Sequence, residues 1–135
     1  NAPEETALVL KADGLHTGDL GRKDDDGFIF LVDRIKNMIK VGANRVSPRE
    51  IEDVIAEVAG VAEVCLAGVP DELLGEAVEA FVVVAPGAEV SRERILAHCR
   101  EYLAVYKVPR GVHFRDALPR SAAGKVVRSE LVRSL

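Results

Sequence analysis

The stretch KNMIKVGANRVSPREIEDVIAEV, residues 36–58, sets the fold class. Its first half reads as a short strand pair and its second half as a helix with a clear start. Ser47 is placed to cap that helix, Pro48 suits the first helical position, and Glu50 completes a Ser-x-x-Glu capping box. Ile51, Val54, Ile55 and Val58 fall at i, i+3, i+4 and i+7, so one helical face belongs to a core.

The same punctuation continues on both sides. Downstream, VAEVCLAGVPD (61–71) and EAVEAFVVVAPG (76–87) read as strands, each stopped by Pro or Gly. Ser91 caps RERILAHCREYL (92–103), where Ile95, Leu96, Cys99 and Leu103 form a second apolar stripe. VPRGVHF (108–114) reads as a last strand and RSELVRSL (128–135) as a short last helix. Upstream, HTGDLGRKDDDGFIFLVDR (16–34) reads as two strands around an acidic turn ending at Gly27. A calcium loop is excluded there, because Gly27 at loop position 6 places Arg22 at position 1, where a carboxylate ligand is required. The order β-β-α-β-β-α-β-α describes an α+β fold, a small mixed β-sheet covered by helices and preceded by a β-hairpin.

The chain has 135 residues, 48% of them hydrophobic, enough for one domain with a real core, or one domain and a fragment of a neighbour. No apolar run approaches the roughly 18–20 residues of a membrane span, and no signal peptide opens the sequence. The start, NAPEETALVLKADG, has no initiator Met and reads as the tail of something earlier. Cys65 and Cys99 lie in apolar segments without metal-ligand spacing, so reduced core thiols and a cytoplasmic setting are expected. The net charge of −4 hides an asymmetry: residues 107–135 carry seven Lys/Arg against Asp116 and Glu130, whereas residues 1–106 carry eleven against twenty acids. The basic tail fits an anionic partner. Nucleic acid is disfavoured, since only 4% of residues are aromatic and no groove-reading motif is present.

Within that tail, Lys125 stands behind Ser121, Ala122, Ala123 and Gly124. A phosphate-binding P-loop is excluded, because the required glycine position holds Pro119 and the required Ser/Thr position holds Val126. Two readings remain open from these residues alone: an ordinary Gly-Lys turn, or a lysine delivered on a flexible stalk to a site that other residues build.

Three segments resemble, in order, motifs of the adenylate-forming enzymes, the superfamily of acyl-CoA synthetases, luciferases and adenylation domains. HTGDLG (16–21) is similar to the family's TGD motif, VDRIKNMIKVGANRVSPREIE (32–52) to its hinge motif and the segment after it, and LPRSAAGKVVRSEL (118–131) to its last motif, which ends in a catalytic Gly-Lys. Asp-Arg-x-Lys followed by Ser-Pro-Arg-Glu-Ile-Glu looks most like an AMP-forming acid–CoA ligase. The resemblance implies that residues 1–34 are the tail of a large N-terminal domain and residues 35–135 a C-terminal lid. That lid would swing between an adenylation orientation, giving acyl-AMP and pyrophosphate, and a thiol-transfer orientation.

It also implies roles. Asp19 and Arg34 would reach the ATP/AMP ribose, Asp19 through two carboxylate oxygens that accept hydroxyl hydrogen bonds. Lys36 would be the hinge residue. Lys40, Gly42 and Ala43 would serve the thiol-transfer state, Ala43 standing where the family usually has a second glycine, a departure expected to be tolerated. Lys125 would be catalytic, an ammonium that holds carboxylate and phosphate in line and offsets developing charge. The implied substrates are magnesium–ATP, with the metal held mainly by the N-terminal domain and no metal ligand set here, a small carboxylic acid, and CoA. The fragment alone is expected to be inactive. Two alternatives stay open: a lid serving a carrier-protein thiol, and a free-standing binding module acting in trans. A strand-mediated dimer of the fragment is a further expectation, and so is acetylation of an exposed Lys125.

Overall fold

The computed structural model describes residues 2–135. The chain divides into two compact units, Asn1–Met38 and Ile39–Leu135.

The first unit begins with helix α1 (Pro3–Val9), followed by the short strands β1 (Leu10–Lys11) and β2 (Gly14–Leu15). Residue periodicity does not announce so short a helix. Its signal is chemical, with Pro at the start and Glu4 and Glu5 in the first turn, where acids complement the helix dipole. Strands β3 (Asp19–Lys23) and β4 (Ile29–Arg34) then form an antiparallel pair with a bulge between Leu20 and Gly21. The acidic turn between them is closed by the Asp24 side chain, whose Oδ1 accepts the Phe28 amide at 2.8 Å. It is a hairpin turn, as its sequence implies.

The second unit is built on a five-stranded sheet. Strands β5 (Ile39–Val41) and β6 (Asn44–Val46) form a hairpin, helix α2 (Pro48–Ala56) follows, and β7 (Val61–Asp71) and β8 (Gly75–Val84) form the long central hairpin. Helix α3 (Arg92–Tyr102) leads to β9 (Gly111–Phe114), which pairs parallel with β8, and helix α4 (Arg128–Arg133) ends the chain. The strand order is β6-β5-β8-β7, with β9 also on β8, so antiparallel and parallel pairing coexist. This is the small mixed sheet covered by helices that the strand and helix pattern describes.

Side-chain alternation along β8 divides the core between the two faces. Val78, Ala80 and Val82 face Ile51 and Ile55 of α2 and Ile95 and Cys99 of α3. Phe81 points the other way, into a smaller cluster with Cys65, Ala67, Leu118 and Leu131 of α4. Both cysteines are free and buried, and burial pushes each thiol up to about 11, so they stay protonated at neutral pH.

Two local expectations differ in detail. Ser91 caps α3 through its side chain, accepting from the Arg94 amide at 3.2 Å, but the α2 capping box does not close. The Ser47 side chain makes no cap hydrogen bond at the N-cap, and the Glu50 carboxylate is engaged by Lys107, whose Nζ donates to its two oxygens at 2.6 and 2.7 Å. A charge-assisted bond to an ammonium outweighs one to a neutral amide. Strand β7 also runs through Pro70 to Asp71 instead of stopping there. It is an edge strand, where a missing N–H on the outer side costs no ladder bond.

Candidate functional site

Asp19 and Arg34 open and close the β3–β4 hairpin and are direct register partners. Arg34 Nε donates to Asp19 Oδ1 at 3.0 Å. The Gly18 carbonyl accepts the Ile35 amide at 2.9 Å, and Asp33 Oδ1 takes the amides of Arg34 and of the Asn37 side chain at 2.6 and 3.0 Å. The Asp19–Arg34 pair is therefore held at the base of the hairpin with one carboxylate oxygen engaged and the other available to a hydroxyl donor. Lys36 lies exposed in the 3-10 turn Ile35–Asn37 that ends the first unit.

In the second unit, Lys40, Gly42 and Ala43 share one hairpin. Val41 pairs with Asn44, leaving Gly42-Ala43 as a two-residue turn, and only Gly42 takes a positive φ, +57°. Glycine first and an ordinary residue second is the II′ pattern, which suits the twist of the strands. Ala43 therefore needs no glycine conformation. Gly42→Ala is expected to cost about 1–2 kcal/mol in urea denaturation, because an L side chain is strained there, whereas Ala43→Gly should shift stability by less than about 1 kcal/mol. Equal losses at the two positions would contradict this turn assignment.

The Gly42 amide bonds the Leu74 carbonyl at 2.8 Å, tying the turn to the β7–β8 connection. The amides of Leu74 and Leu73 on Asp71 Oδ1 hold that carboxyl below its usual range, with Arg110 alongside. A groove of about 530 Å³ opens here, lined by Gly42, Ala43, Leu74, Val105, Tyr106 and Arg110 among others, and is largely apolar.

Lys125 is exposed and rooted in a closed turn, not on a loose stalk. Gly124 N donates to Ser121 O at 2.8 Å, Ser121 N to Lys125 O at 2.8 Å, and Val127 N to Pro119 O at 2.8 Å, while Arg120 and Val126 form a β-bridge. Gly124 supplies the positive φ, +76°, that the turn requires. Small side chains do not loosen a segment whose backbone bonds are satisfied internally. The ammonium itself makes no ion pair among the described residues.

Sequence reasoning missed what holds this hairpin. Arg120 Nη1 donates to the Gly124 carbonyl at 2.9 Å and Nη2 to Glu63 Oε2 on β7 at 2.6 Å. Arg128 Nε donates to the Leu66 carbonyl at 2.9 Å and Nη2 to Glu52 Oε1 at 3.0 Å, while Glu52 Oε1 also accepts the Leu66 amide at 2.9 Å. Glu52 and Arg128 thereby satisfy the Leu66 amide and carbonyl on the outer edge of β7. The Lys125 hairpin thus rides on the β7 edge, and the Gly42-Ala43 turn lies at the β5–β6 edge, with β8 between them. Three strand spacings, roughly 14 Å, separate the edge strands β6 and β7, and Glu63 and Val41 pair with opposite ends of β8, at Val83 and Gly75. Within this unit Lys125 is not brought together with Lys40, Gly42 and Ala43.

Among the described residues no cluster of His, Cys, Asp or Glu is arranged to hold a metal ion, and no helix is long and apolar enough to cross a membrane.

The family model for the AMP-binding enzyme C-terminal domain matches residues 50–125. A long-chain-fatty-acid–CoA ligase of Bacillus subtilis is 45% identical over 132 residues, covering 98% of this chain and 24% of the ligase. A crotonobetaine/carnitine–CoA ligase of Proteus sp. is 46% identical over 132 residues, covering 97% of this chain and 26% of that protein. The ATP-bound structure of MatB from Rhodopseudomonas palustris superposes with a TM-score of 0.87 at 37% identity, covering 98% of this chain and 26% of that one. The chain therefore spans about a quarter of the length of its relatives.

Proposed function

Since the chain belongs to the AMP-binding enzyme C-terminal domain family, we propose that it is the lid of an ATP-dependent acid–CoA ligase. The whole enzyme activates a carboxylic acid as acyl-AMP, releases pyrophosphate and passes the acyl group to CoA. What carries this assignment is the match over nearly the whole chain to ligases whose names specify CoA thioester formation. Those names also favour CoA over a carrier-protein thiol. A free-standing module is disfavoured because these relatives hold the same segment within chains about four times as long.

The division of labour follows the chemistry of each group. Asp19 accepts hydrogen bonds from the ribose hydroxyls through its free oxygen, and Arg34 holds the other oxygen in place. Lys125 meets the α-phosphate of magnesium–ATP and the attacking carboxylate. There a compact cation on a long stem offsets charge that builds on the phosphoryl oxygens and keeps the two anions in line. Lys36 is the hinge, supported by the boundary between compact units that falls two residues later. The Gly42-Ala43 turn and the apolar groove beside it serve thiol transfer, with Lys40 near them. Their location on the sheet edge opposite Lys125 suits an enzyme that presents one edge at a time.

Residues 1–34 are the tail of the large N-terminal domain. Phe28, Ile29 and Leu31 are 67%, 72% and 74% exposed on a two-stranded ribbon, apolar surface that a neighbouring domain would cover. Two buried free thiols fit a cytoplasmic enzyme. The acid is read outside this chain, since ligases for chemically unlike acids resemble it almost equally.

A carboxylic-acid screen of the full-length protein tests the assignment. It should yield acid-dependent AMP, pyrophosphate and an acyl-CoA, while the 135-residue chain alone yields none. Pyrophosphate release by this chain alone, or no acid-dependent ATP cleavage by the whole protein, would overturn it.

A further inference from the structure

The Lys125 hairpin is fastened at both ends by arginines that no role above assigns. Arg120 lies five residues before Lys125. Its guanidinium grips the Gly124 carbonyl, the oxygen of the very peptide that carries the Lys125 amide, and with its other nitrogen grips Glu63 on β7. Arg128, three residues after Lys125, is fixed to Leu66 and Glu52. Lys125 is therefore rooted in a peptide plane locked to the edge of a rigid sheet, while its four-carbon stem and ammonium stay free.

We propose that Arg120, bridging the Gly124 carbonyl to Glu63, is a positioning residue that sets where the Lys125 ammonium reaches during adenylation. The proposal rests on Lys125 being the adenylation lysine. Holding two anions in line is a geometric task, and a misplacement of about 1 Å can cost on the order of a hundredfold in rate. A loose stalk would supply the charge without the position. The Arg120 bridge supplies the position, so a rotating lid carries the lysine as part of the sheet. Arginine is suited to this because its planar fork makes two bonds at a fixed angle, whereas a lysine at position 120 presents a single point of charge.

The two clamps differ in what their loss does to the fold. The side chains of Arg120 and Glu63 are 48% and 43% exposed, so cutting that bridge strands no buried charge. Glu52 is only 19% exposed and also holds the Leu66 amide, so cutting the Arg128 clamp disturbs the β7 edge itself. Arg120 is thus the cleaner probe.

The test uses the full-length enzyme with its acid, in two assays: acid-dependent pyrophosphate release, and CoA acylation from chemically prepared acyl-AMP. Arg120→Ala is expected to lower kcat for pyrophosphate release about ten- to a hundredfold. KM for ATP and acid should stay within about threefold, and transfer from prepared acyl-AMP within about twofold. Arg120→Lys should not rescue the loss. Glu63→Ala, which removes the acceptor on β7, should reproduce part of it and serves if Arg120→Ala folds poorly.

The decisive variant is Arg120→Ala with Lys125→Ala, which should be no slower than Lys125→Ala alone, because a misplaced lysine and an absent one fail at the same step. If the two losses multiply, or if Arg120→Ala slows both assays equally, Arg120 is merely structural and the proposal falls alone. If Lys125→Ala leaves pyrophosphate release intact, the role of Lys125 falls and takes the proposal with it.

Discussion

Lys125→Ala in the full-length protein is expected to lower the rate of acid-dependent pyrophosphate release about 10²–10³-fold, the usual cost of removing one preorganised charge-stabilising group. Transfer from prepared acyl-AMP to CoA should change by no more than a few-fold. The asymmetry follows from where Lys125 stands. Its hairpin sits on the β7 edge of the sheet, whereas the Gly42-Ala43 turn and the groove beside it sit at the β5–β6 edge. A group on one edge is engaged when that edge faces the reactants and withdrawn when the other does. Lys125→Arg is expected to recover little, because the planar guanidinium is bulkier and spreads its charge over a fork. Equal losses in both half-reactions would show that the two edges do not divide the chemistry.

Phe81→Ala is expected to cost about 3–5 kcal/mol in stability, the range for truncating a fully buried phenylalanine. Phe81 is at 0% exposure on the central strand β8, opposite Cys65 on β7 and His113 on β9. Its ring stacks on the His113 imidazole, with centroids 5.2 Å apart, and the Arg115 guanidinium lies 5.6 Å from its centre. Around it are Cys65, Ala67, Leu118 and Leu131, a small cluster with few other large side chains to close over a cavity. Leu118 and Leu131 flank the Lys125 hairpin in sequence, so the loss should loosen α4 and that hairpin before the α2–α3 face, where Ile51, Ile55 and Ile95 hold independently. Urea denaturation of the chain gives the size of the effect, and hydrogen exchange gives its location. A cost below about 1 kcal/mol, or first exchange in α2, would contradict this division of the core.

The sheet and two helices were legible because their signals are periodic. Ile51, Ile55 and Val58, and Ile95 and Cys99, recur at helical spacing and all are buried. VAEVCLAGVPD falls on β7, though the strand runs on through the Pro70 expected to stop it. What stayed hidden is carried by single polar contacts across long separations. Arg120 and Glu63 are 57 residues apart, and Arg128 and Glu52 are 76 apart, and neither pair leaves a periodic trace. The contact between Lys107 and Glu50, also 57 residues apart, is of the same kind. Ser121–Gly124 suggested looseness because composition reports side-chain size, while the turn is closed by backbone bonds that composition does not contain. Asp19 and Arg34 are the reverse case: motif residues fifteen apart that the hairpin register brings into direct contact.

The most direct test of the account is lysine labelling by an amine-reactive reagent in the full-length protein, with and without the carboxylic acid and the α,β-methylene analogue of ATP, read residue by residue by mass spectrometry. Lys125 should be labelled readily in the free protein, and its labelling should fall sharply when both ligands are bound, because its ammonium then lies between two anions. Labelling of Lys125 that is unchanged while calorimetry shows the ligands bound would contradict the claim that this lysine is the cation of the adenylation step.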